Sequence, residues 1–123
     1  SVAKPGMFLN NPEEQEKSLH HIALKQFKKE KLDSFFIHGL GHFLGLDVHD
    51  VGVGTKLLSE GDIFTIEPGL YIPEENIGIR IEDDFMITKD GCACLSAKLC
   101  KKPDDIESLM AGKWALFLGC FLV

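Results

Sequence analysis

Arginine, long apolar runs and paired cysteines are all scarce in this sequence of 123 residues. Arg80 is the single arginine among 13 basic residues and the net charge is −6, which excludes a nucleic-acid partner held by bulk electrostatics. The uncharged apolar stretch at 114–123 is far shorter than the roughly 20 residues of a membrane-spanning helix, so we expect no membrane partner. No secretory leader is visible and the cysteines form no disulfide framework, which favours free thiols and a cytoplasmic location; they are Cys92, Cys94, Cys100 and Cys120.

The length of the chain suits one domain, and the apolar end reads as an appendage to it. We place the domain at 1–112 and the tail at 113–123, because the last charged residue precedes the apolar stretch. Asn11 is a good N-cap and Pro12 suits the first helical position, so the sequence predicts a helix over 11–30.

The rest of the domain carries signals for strands, loops and a second helix. The density of glycine in 35–54 predicts loops and short strands in place of a regular helix. Strong β propensity predicts strands at 63–67 and at 77–88, and a proline-initiated apolar pattern predicts a short helix at 103–110 with its apolar side chains facing inward. Together these elements predict an α+β fold in which an antiparallel sheet is flanked by helices.

Acidic residues alternate with apolar ones on the two predicted strands. Thr65 and Glu67 share one face of the first strand, and Arg80 and Glu82 share one face of the second. The turn signals at 73–76 make a hairpin plausible, because they lie between the two strands. We therefore expect the hairpin to bring both glutamates and the arginine together on its polar face.

Two neighbouring carboxylates need a cation between them. At about 4 Å and an effective dielectric near 20, two such charges repel by roughly 4 kcal/mol. Arg80 can offset part of this repulsion, and a divalent metal held by Glu67, Glu82 and the imidazole of His42 would offset more. One imidazole with two carboxylates suits Mn, Zn, Co or Fe(II) better than Ca or Mg.

Each of these residues also has an ordinary structural interpretation. A histidine in a glycine-rich loop, such as His38, His42 or His49, commonly makes a structural hydrogen bond, and a strand glutamate is commonly solvated. Asp83 and Asp84 extend the acidic run, and for them a solvated face is the favoured interpretation. Spacing alone therefore leaves a metal site and a structural polar cluster both open.

Three sequence motifs follow one another along the chain: HGLGHFLGLDVHDVG at 38–52, FTIEPGLYIPE at 64–74 and GIRIEDD at 78–84. Together they resemble the proline-specific metallopeptidases of the pita-bread fold, which are the Xaa-Pro aminopeptidases and the Xaa-Pro dipeptidases (prolidases). The stretch KKPDDIESLM at 101–110 resembles the end of their catalytic domain, so the resemblance covers roughly 3–110. It implies a partial pita-bread fold and hydrolysis of the bond between an N-terminal residue and a following proline.

The resemblance also implies a site for two metals, usually Mn²⁺. On the matching positions, His42 resembles the histidine ligand of one metal. Glu67 resembles a carboxylate ligand that also serves as general base, and Glu82 resembles the carboxylate that bridges both metals.

Further roles follow for the residues around these ligands. His38 and His49 resemble the flanking histidines that bind substrate, stabilise the tetrahedral intermediate and transfer protons. Arg80 resembles the arginine that orders the bridging carboxylates and the substrate. The implied partner is a peptide with proline at its second position.

One departure from the family concerns the other metal ligands. The family takes two of them from upstream aspartates, and before His38 the sequence offers only Asp33. The chain thus resembles the C-terminal half of the catalytic domain, which implies a truncated form of low activity that holds at most one metal weakly. Its further partner would be the missing N-terminal half or another copy of itself. A prolidase and a non-catalytic binding module that kept the fold are the alternatives.

Overall fold

The computed structural model describes residues 3–111, which contain two α-helices and five β-strands. All strand pairings in this range are antiparallel, so the predicted α+β class is confirmed. The predicted tail at 113–123 lies outside the described residues. No helix within 3–111 is long and apolar enough to cross a membrane. The elements are α1 (Leu19–Lys29), β1 (Ile63–Ile66), β2 (Gly69–Ile72), β3 (Ile77–Arg80), β4 (Asp83–Ile87), β5 (Cys92–Cys94) and α2 (Pro103–Met110).

The first helix begins at Leu19, so the prediction of a helix from residue 11 is wrong. The buried side chain of Asn11 accepts a hydrogen bond from the backbone N–H two residues ahead, and its own N–H donates to Ser18 Oγ. Phe8 also pairs through its backbone with the segment just before the helix. These contacts give the backbone of 11–18 partners that compete with a helical arrangement.

The predicted strand at 77–88 is two strands, β3 and β4, which Ile81 and Glu82 separate. β3 pairs with β2, whereas β4 pairs with β1 in a three-stranded sheet of order β1-β4-β5. The same change of partner occurs between β1 and β2, at Glu67 and Pro68, where proline offers no N–H to a continuing ladder. Both glutamates of the predicted site therefore lie where the chain passes from one sheet to the other.

The hydrophobic core lies on the three-stranded sheet. Phe64 of β1 and Ile87 of β4 are fully buried, and apolar residues of α1 pack against the cluster that they form. On α2, by contrast, Ile106 and Met110 are 39% and 79% exposed, so the prediction that they face inward is wrong. Among residues 3–111, the helix at the end finds no apolar neighbour that covers these two side chains.

Candidate metal centre

Three side chains from three separate segments converge at the junction of the two sheets. Ligand atoms of His42, Glu67 and Glu82 all lie within 4.8 Å of one another. His42 comes from the glycine-rich loop, Glu67 from the link between β1 and β2, and Glu82 from the link between β3 and β4. The predicted convergence of one imidazole and two carboxylates is thus present in the structure.

The glycine-rich loop reaches the site because it runs beside β1. The N–H of Thr65 donates to the carbonyl of His42 at 2.8 Å, and the N–H of Glu67 donates to the carbonyl of Leu40 at the same distance. Gly41 is required for this approach, since a Cβ at its position would collide with the carbonyl oxygen of Thr65. The loop therefore serves as an irregular neighbour of β1 and carries the imidazole toward the carboxylates.

The side chain of Thr65 connects two of the converging residues, His42 and Glu67. Its side chain is buried, its Oγ1 accepts the N–H of His42 at 3.0 Å, and its hydroxyl donates to Glu67 Oε1 at 3.2 Å. Alternation places Thr65 on the polar face with Glu67, but the sequence assigns it no role. The missed signal is a threonine that alternation puts beside a glutamate on an otherwise apolar strand.

The imidazole of His42 is oriented by a second hydrogen bond. Its Nδ1 lies 3.0 Å from the carbonyl oxygen of Phe43, and because a carbonyl only accepts, Nδ1 carries the proton of the neutral ring. The lone pair of Nε2 then faces Glu67 Oε1 at 3.4 Å. Two acceptors that face each other at this distance need a cation or a proton between them.

Arg80 is the one arginine and it lies at the site. Its Nε is 3.5 Å from Glu67 Oε2, and the pairing of Arg80 with Gly69 in the β2–β3 ladder places it there. The side chain of Glu67 is only 12% exposed, whereas that of Arg80 is 52% exposed. The positive charge of Arg80, on the solvent side, therefore offsets part of the negative charge of the largely buried Glu67 carboxylate.

The two flanking histidines take different positions. The exposed ring of His49 lies beside His42, with 4.2 Å between the ring centroids. His38 donates from Nδ1 to the carbonyl of Gly39 at 2.7 Å and packs its ring against Phe36 and Tyr71. The structure thus brings His49 to the converging ligands and sets His38 against an aromatic wall.

His38 also has a buried nitrogen without a hydrogen-bond partner among the described residues, Nε2. A Cβ built at position 69 would lie 2.6 Å from this atom, so Gly69 is what allows the ring to sit so close to β2. Since Glu67 lies two residues before Gly69, the unpaired nitrogen borders the strand that leaves the carboxylate cluster. An unsatisfied buried acceptor of this kind points to a ligand or a water as its partner.

The acidic residue after Glu82 is not part of a solvated face, so that interpretation of Asp83 is wrong. Its carboxylate receives hydrogen bonds from Ser96 and Cys94 and an ion pair from Lys101. Burial acts to raise the pKa of Asp83, but these hydrogen bonds and the lysine charge outweigh it and hold the pKa below its ordinary value. Asp83 therefore stays ionised, and its partners are distinct from the three converging side chains.

The converging donor set fits a transition metal. Ligands at about 2.1 Å from one ion lie about 3 to 4 Å apart, and the His42–Glu67 separation of 3.4 Å falls in that range. The 4.8 Å limit for the whole group exceeds this range only slightly, and the Glu82 carboxylate is exposed. One imidazole nitrogen with two carboxylates suits Mn, Zn, Co or Fe(II).

Comparison with known proteins agrees with this geometry. The profile of the metallopeptidase family M24 matches residues 6–89. An Xaa-Pro aminopeptidase of Escherichia coli is 53% identical in an alignment over 88 residues that covers 62% of this chain and 20% of that protein. The chain therefore spans about a fifth of the length of that relative.

Solved structures of the family superpose on the described fold. A prolidase from Pyrococcus furiosus aligns with a TM-score of 0.68 and 38% identity, over 80% of this chain and 28% of that one. A zinc-substituted E. coli aminopeptidase P in complex with product aligns with a TM-score of 0.66 and 38% identity, over 89% of this chain and 30% of that one. The expected partial pita-bread fold is confirmed by these alignments, and with the profile match they show that the chain belongs to the metallopeptidase family M24, whose members use a divalent metal.

Proposed function

We propose that this chain carries part of the active site of an Xaa-Pro aminopeptidase, which releases an N-terminal residue that precedes proline. The observation that carries the proposal is the pair of facing acceptors, His42 Nε2 and Glu67 Oε1, with Glu82 in reach of both. A neutral imidazole and a carboxylate hold such an arrangement when a cation joins them. The 53% identity to an Xaa-Pro aminopeptidase supports the choice of substrate class.

In this proposal His42, Glu67 and Glu82 hold the metal, and Mn²⁺ is the ion that we propose. When bound, the metal lowers the pKa of an attacking water toward about 7 and polarises the scissile carbonyl. Glu67 also accepts the proton that this water loses, because its Oε1 already faces the centre of the site. Thr65 and Arg80 keep that carboxylate oriented through contacts at 3.2 and 3.5 Å.

The remaining residues act on the peptide. The water oxygen bonds to the carbonyl carbon, the C–N bond to proline breaks, and the imino nitrogen takes up a proton. His49 is exposed beside His42, so we assign to it the contact with the entering peptide and the transfer of the proton from Glu67 to that nitrogen. We also assign substrate contacts to the unpaired Nε2 of His38, beside Phe36 and Tyr71, and to the guanidinium of Arg80.

We further propose that the chain alone is a weak catalyst. Among residues 3–111 the only group of ligands is His42, Glu67 and Glu82, so these three would hold one metal and would leave a second metal with Glu82 alone. Further carboxylates must come from another polypeptide segment, which we propose is an N-terminal half of the same kind of domain. A second copy of this chain is the other partner that the test below distinguishes.

An apolar groove marks where such a partner would pack. It lies between α1 and the sheets and has a volume of about 440 Å³. Beside it, the face of β3 leaves Ile79 61% exposed. Exposed apolar side chains of this kind are where a partner segment would gain contact area. The groove is lined by residues that include Ile22, Phe27, Ile66, Pro68 and Phe85.

A cytoplasmic location belongs to the same proposal. Three partly exposed cysteines are free thiols in the structure: Cys92, Cys94 and Cys100. Free thiols persist in reducing compartments. The expected location is tested by fractionation of cells that express the chain.

Prolidase activity is the second candidate, because the prolidase of Pyrococcus furiosus aligns as well as the aminopeptidase does. The two activities differ in whether the proline is followed by another residue. The purified chain, with Mn²⁺ and an added N-terminal half, should cleave a tripeptide of the form Xaa-Pro-Xaa faster than an Xaa-Pro dipeptide. The reverse preference would assign the chain to the prolidases.

Calorimetric titration with Mn²⁺ tests the metal site directly. We expect the purified chain to bind one equivalent, and Glu82→Gln or His42→Ala to weaken binding at least about tenfold because each removes a ligand. Glu75→Gln is the matched control, since Glu75 is an exposed glutamate in the turn after β2. No binding by the unmodified chain, or equal loss in the control, would contradict the site.

Turnover then tests the low activity of the isolated chain. With saturating Mn²⁺, the chain alone should cleave an Xaa-Pro tripeptide far more slowly than the E. coli relative, and addition of an N-terminal half should raise the rate. A rate equal to that of the relative would refute the need for a partner. A non-catalytic binding module would show no turnover in either arrangement, and a rise in rate with chain concentration alone would identify a second copy as the partner.

A further inference from the structure

A cluster of polar side chains surrounds Asp83, the first residue of β4. Asp83 Oδ1 accepts from the hydroxyl of Ser96 at 2.5 Å and from the ammonium of Lys101 at 2.9 Å. The same ammonium donates to the carbonyl oxygens of Ser96 and Leu99, at 3.0 and 3.2 Å, so all three of its protons are used. We define Asp83, Ser96 and Lys101 as the β4 clamp.

The β4 clamp lies where the ladder between β4 and β5 ends. Pairing between β4 and β5 stops at Phe85, so Asp83 and Asp84 have no partner strand on that side. Ser96 Oγ accepts the N–H of Asp84 at 3.0 Å, and the carbonyl of Asp84 accepts the N–H of Leu95 at 2.8 Å. The turn after β5 is thereby fastened to the first two residues of β4.

The residue that precedes this anchored point is Glu82. The other two metal ligands have supports of their own, because Phe43 orients the imidazole of His42, and Thr65 and Arg80 hold Glu67. Across residues 3–111, by contrast, no side chain donates a hydrogen bond to the exposed carboxylate of Glu82. Its position is therefore set by its backbone, which enters β4 at Asp83. The pairing with Ile66 of β1 holds Asp83 on one side, and the clamp holds its side chain on the other.

We propose that the β4 clamp is the positioning device for Glu82, with Ser96 and Lys101 as positioning residues that act through Asp83. The inference rests on the proposed function, since it assigns Glu82 a metal to hold. Residues behind the ligands of a metal commonly alter metal affinity by about 10- to 100-fold when they are removed. The clamp accounts for Ser96 and Lys101, whose side-chain polar atoms form hydrogen bonds at this end of β4.

The test uses two variants and two matched controls in the full chain. Ser96→Ala removes the hydroxyl and Lys101→Met removes the charge while keeping the length of the side chain. Ser96→Thr retains the hydroxyl, and Lys98→Met alters an exposed lysine of the same turn. Each protein is titrated with Mn²⁺ by calorimetry, its midpoint of thermal unfolding is measured, and backbone ¹⁵N relaxation reports the order of residues 81–84.

We expect Ser96→Ala and Lys101→Met to weaken Mn²⁺ binding about tenfold and to increase the mobility of the Glu82 amide, with both controls unchanged. Unaltered affinity and order in these two folded variants would overturn the inference, and unfolding of both would reduce the clamp to a folding element and overturn it as well. If the unmodified chain binds no Mn²⁺, the proposed function fails, and the mobility of Glu82 still decides whether the clamp positions this residue.

Discussion

The three-stranded sheet and the β2–β3 hairpin use the same antiparallel pairing but are stabilised in different ways. In the sheet, Phe64 and Ile87 are fully buried beneath α1. In the hairpin, every residue of β3 is exposed, and Ile79 presents an apolar side chain to solvent. The sheet is therefore held by burial, whereas the hairpin contacts the core through Leu70 of β2 and leaves β3 exposed. The three converging side chains lie at the junction between the two.

The comparison predicts its largest effect for the paired variants Phe64→Ala and Ile79→Ala. Loss of the buried ring should lower the free energy of unfolding by about 3–5 kcal/mol, because it leaves a cavity in the core. The exposed isoleucine should change it by no more than about 0.5 kcal/mol. Urea unfolding measures both values, and similar losses for the two variants would show that the hairpin has a core of its own.

A smaller loss is expected at the point where the loop meets the sheet. Thr65→Val removes the acceptor of the His42 N–H and the donor to Glu67, so we expect a loss of about 1–3 kcal/mol and weaker Mn²⁺ binding. The control is Thr55→Val, which alters an exposed threonine in the same chain. Urea unfolding and calorimetry measure the two effects, and equal results for both variants would remove Thr65 from the site.

The third prediction concerns the pH dependence of folding stability, which His20 is expected to cause. Burial lowers the pKa of His20, and the nearby His21 and His38 lower it further. The unfolded chain therefore binds a proton more readily than the folded one, and this term makes stability fall as the pH drops below about 6.5.

His20→Phe should flatten that dependence, because the ring contact with Phe36 is kept while the titrating group is removed. Urea unfolding at about pH 5.5 and about pH 7.5 measures the difference in each protein. An unchanged pH slope in His20→Phe would place the dependence on another group.

The smallest effect on stability is expected in the hairpin, where solubility should change instead. Ile77→Ser together with Ile79→Ser removes apolar surface that is 43% and 61% exposed. We expect a change in unfolding free energy within about 0.5 kcal/mol and less self-association, measured by sedimentation. A large loss of stability would mean that β3 is packed within the chain.

Alternation along the strands was sufficient to predict which side chains meet at the site. The two-residue period put Glu67, Arg80 and Glu82 on one polar face, and the structure brings all three together near His42. Their catalytic roles stay predictions. The partner change between β3 and β4 was not predictable in this way, because the apolar–polar period of 77–88 continues through the break at Ile81.

Three other misses arise from contacts that are distant in sequence. The Asn11 signal for a helix start is genuine as a local propensity, but Ser18 and Phe8 supply partners that hold the segment as turns. Thr65 gained its role from a loop that the sequence showed only as glycine-rich. The sequence favours a solvated Asp83, because the lysine and serine that bind it lie more than ten residues ahead in the chain.

Both ends of the β2–β3 hairpin lie at the junction of the two sheets. The length of the hairpin can therefore change without a change in the strand register at its base. Gly69 and Arg80 face each other at the base, while the turn at 73–76 lies about 13 Å away at the tip. Residues inserted at the tip would lengthen the arm without moving the base, and closing a longer loop costs little free energy. The arm can thus diversify or accept grafted peptides while the chemistry at its base stays in place.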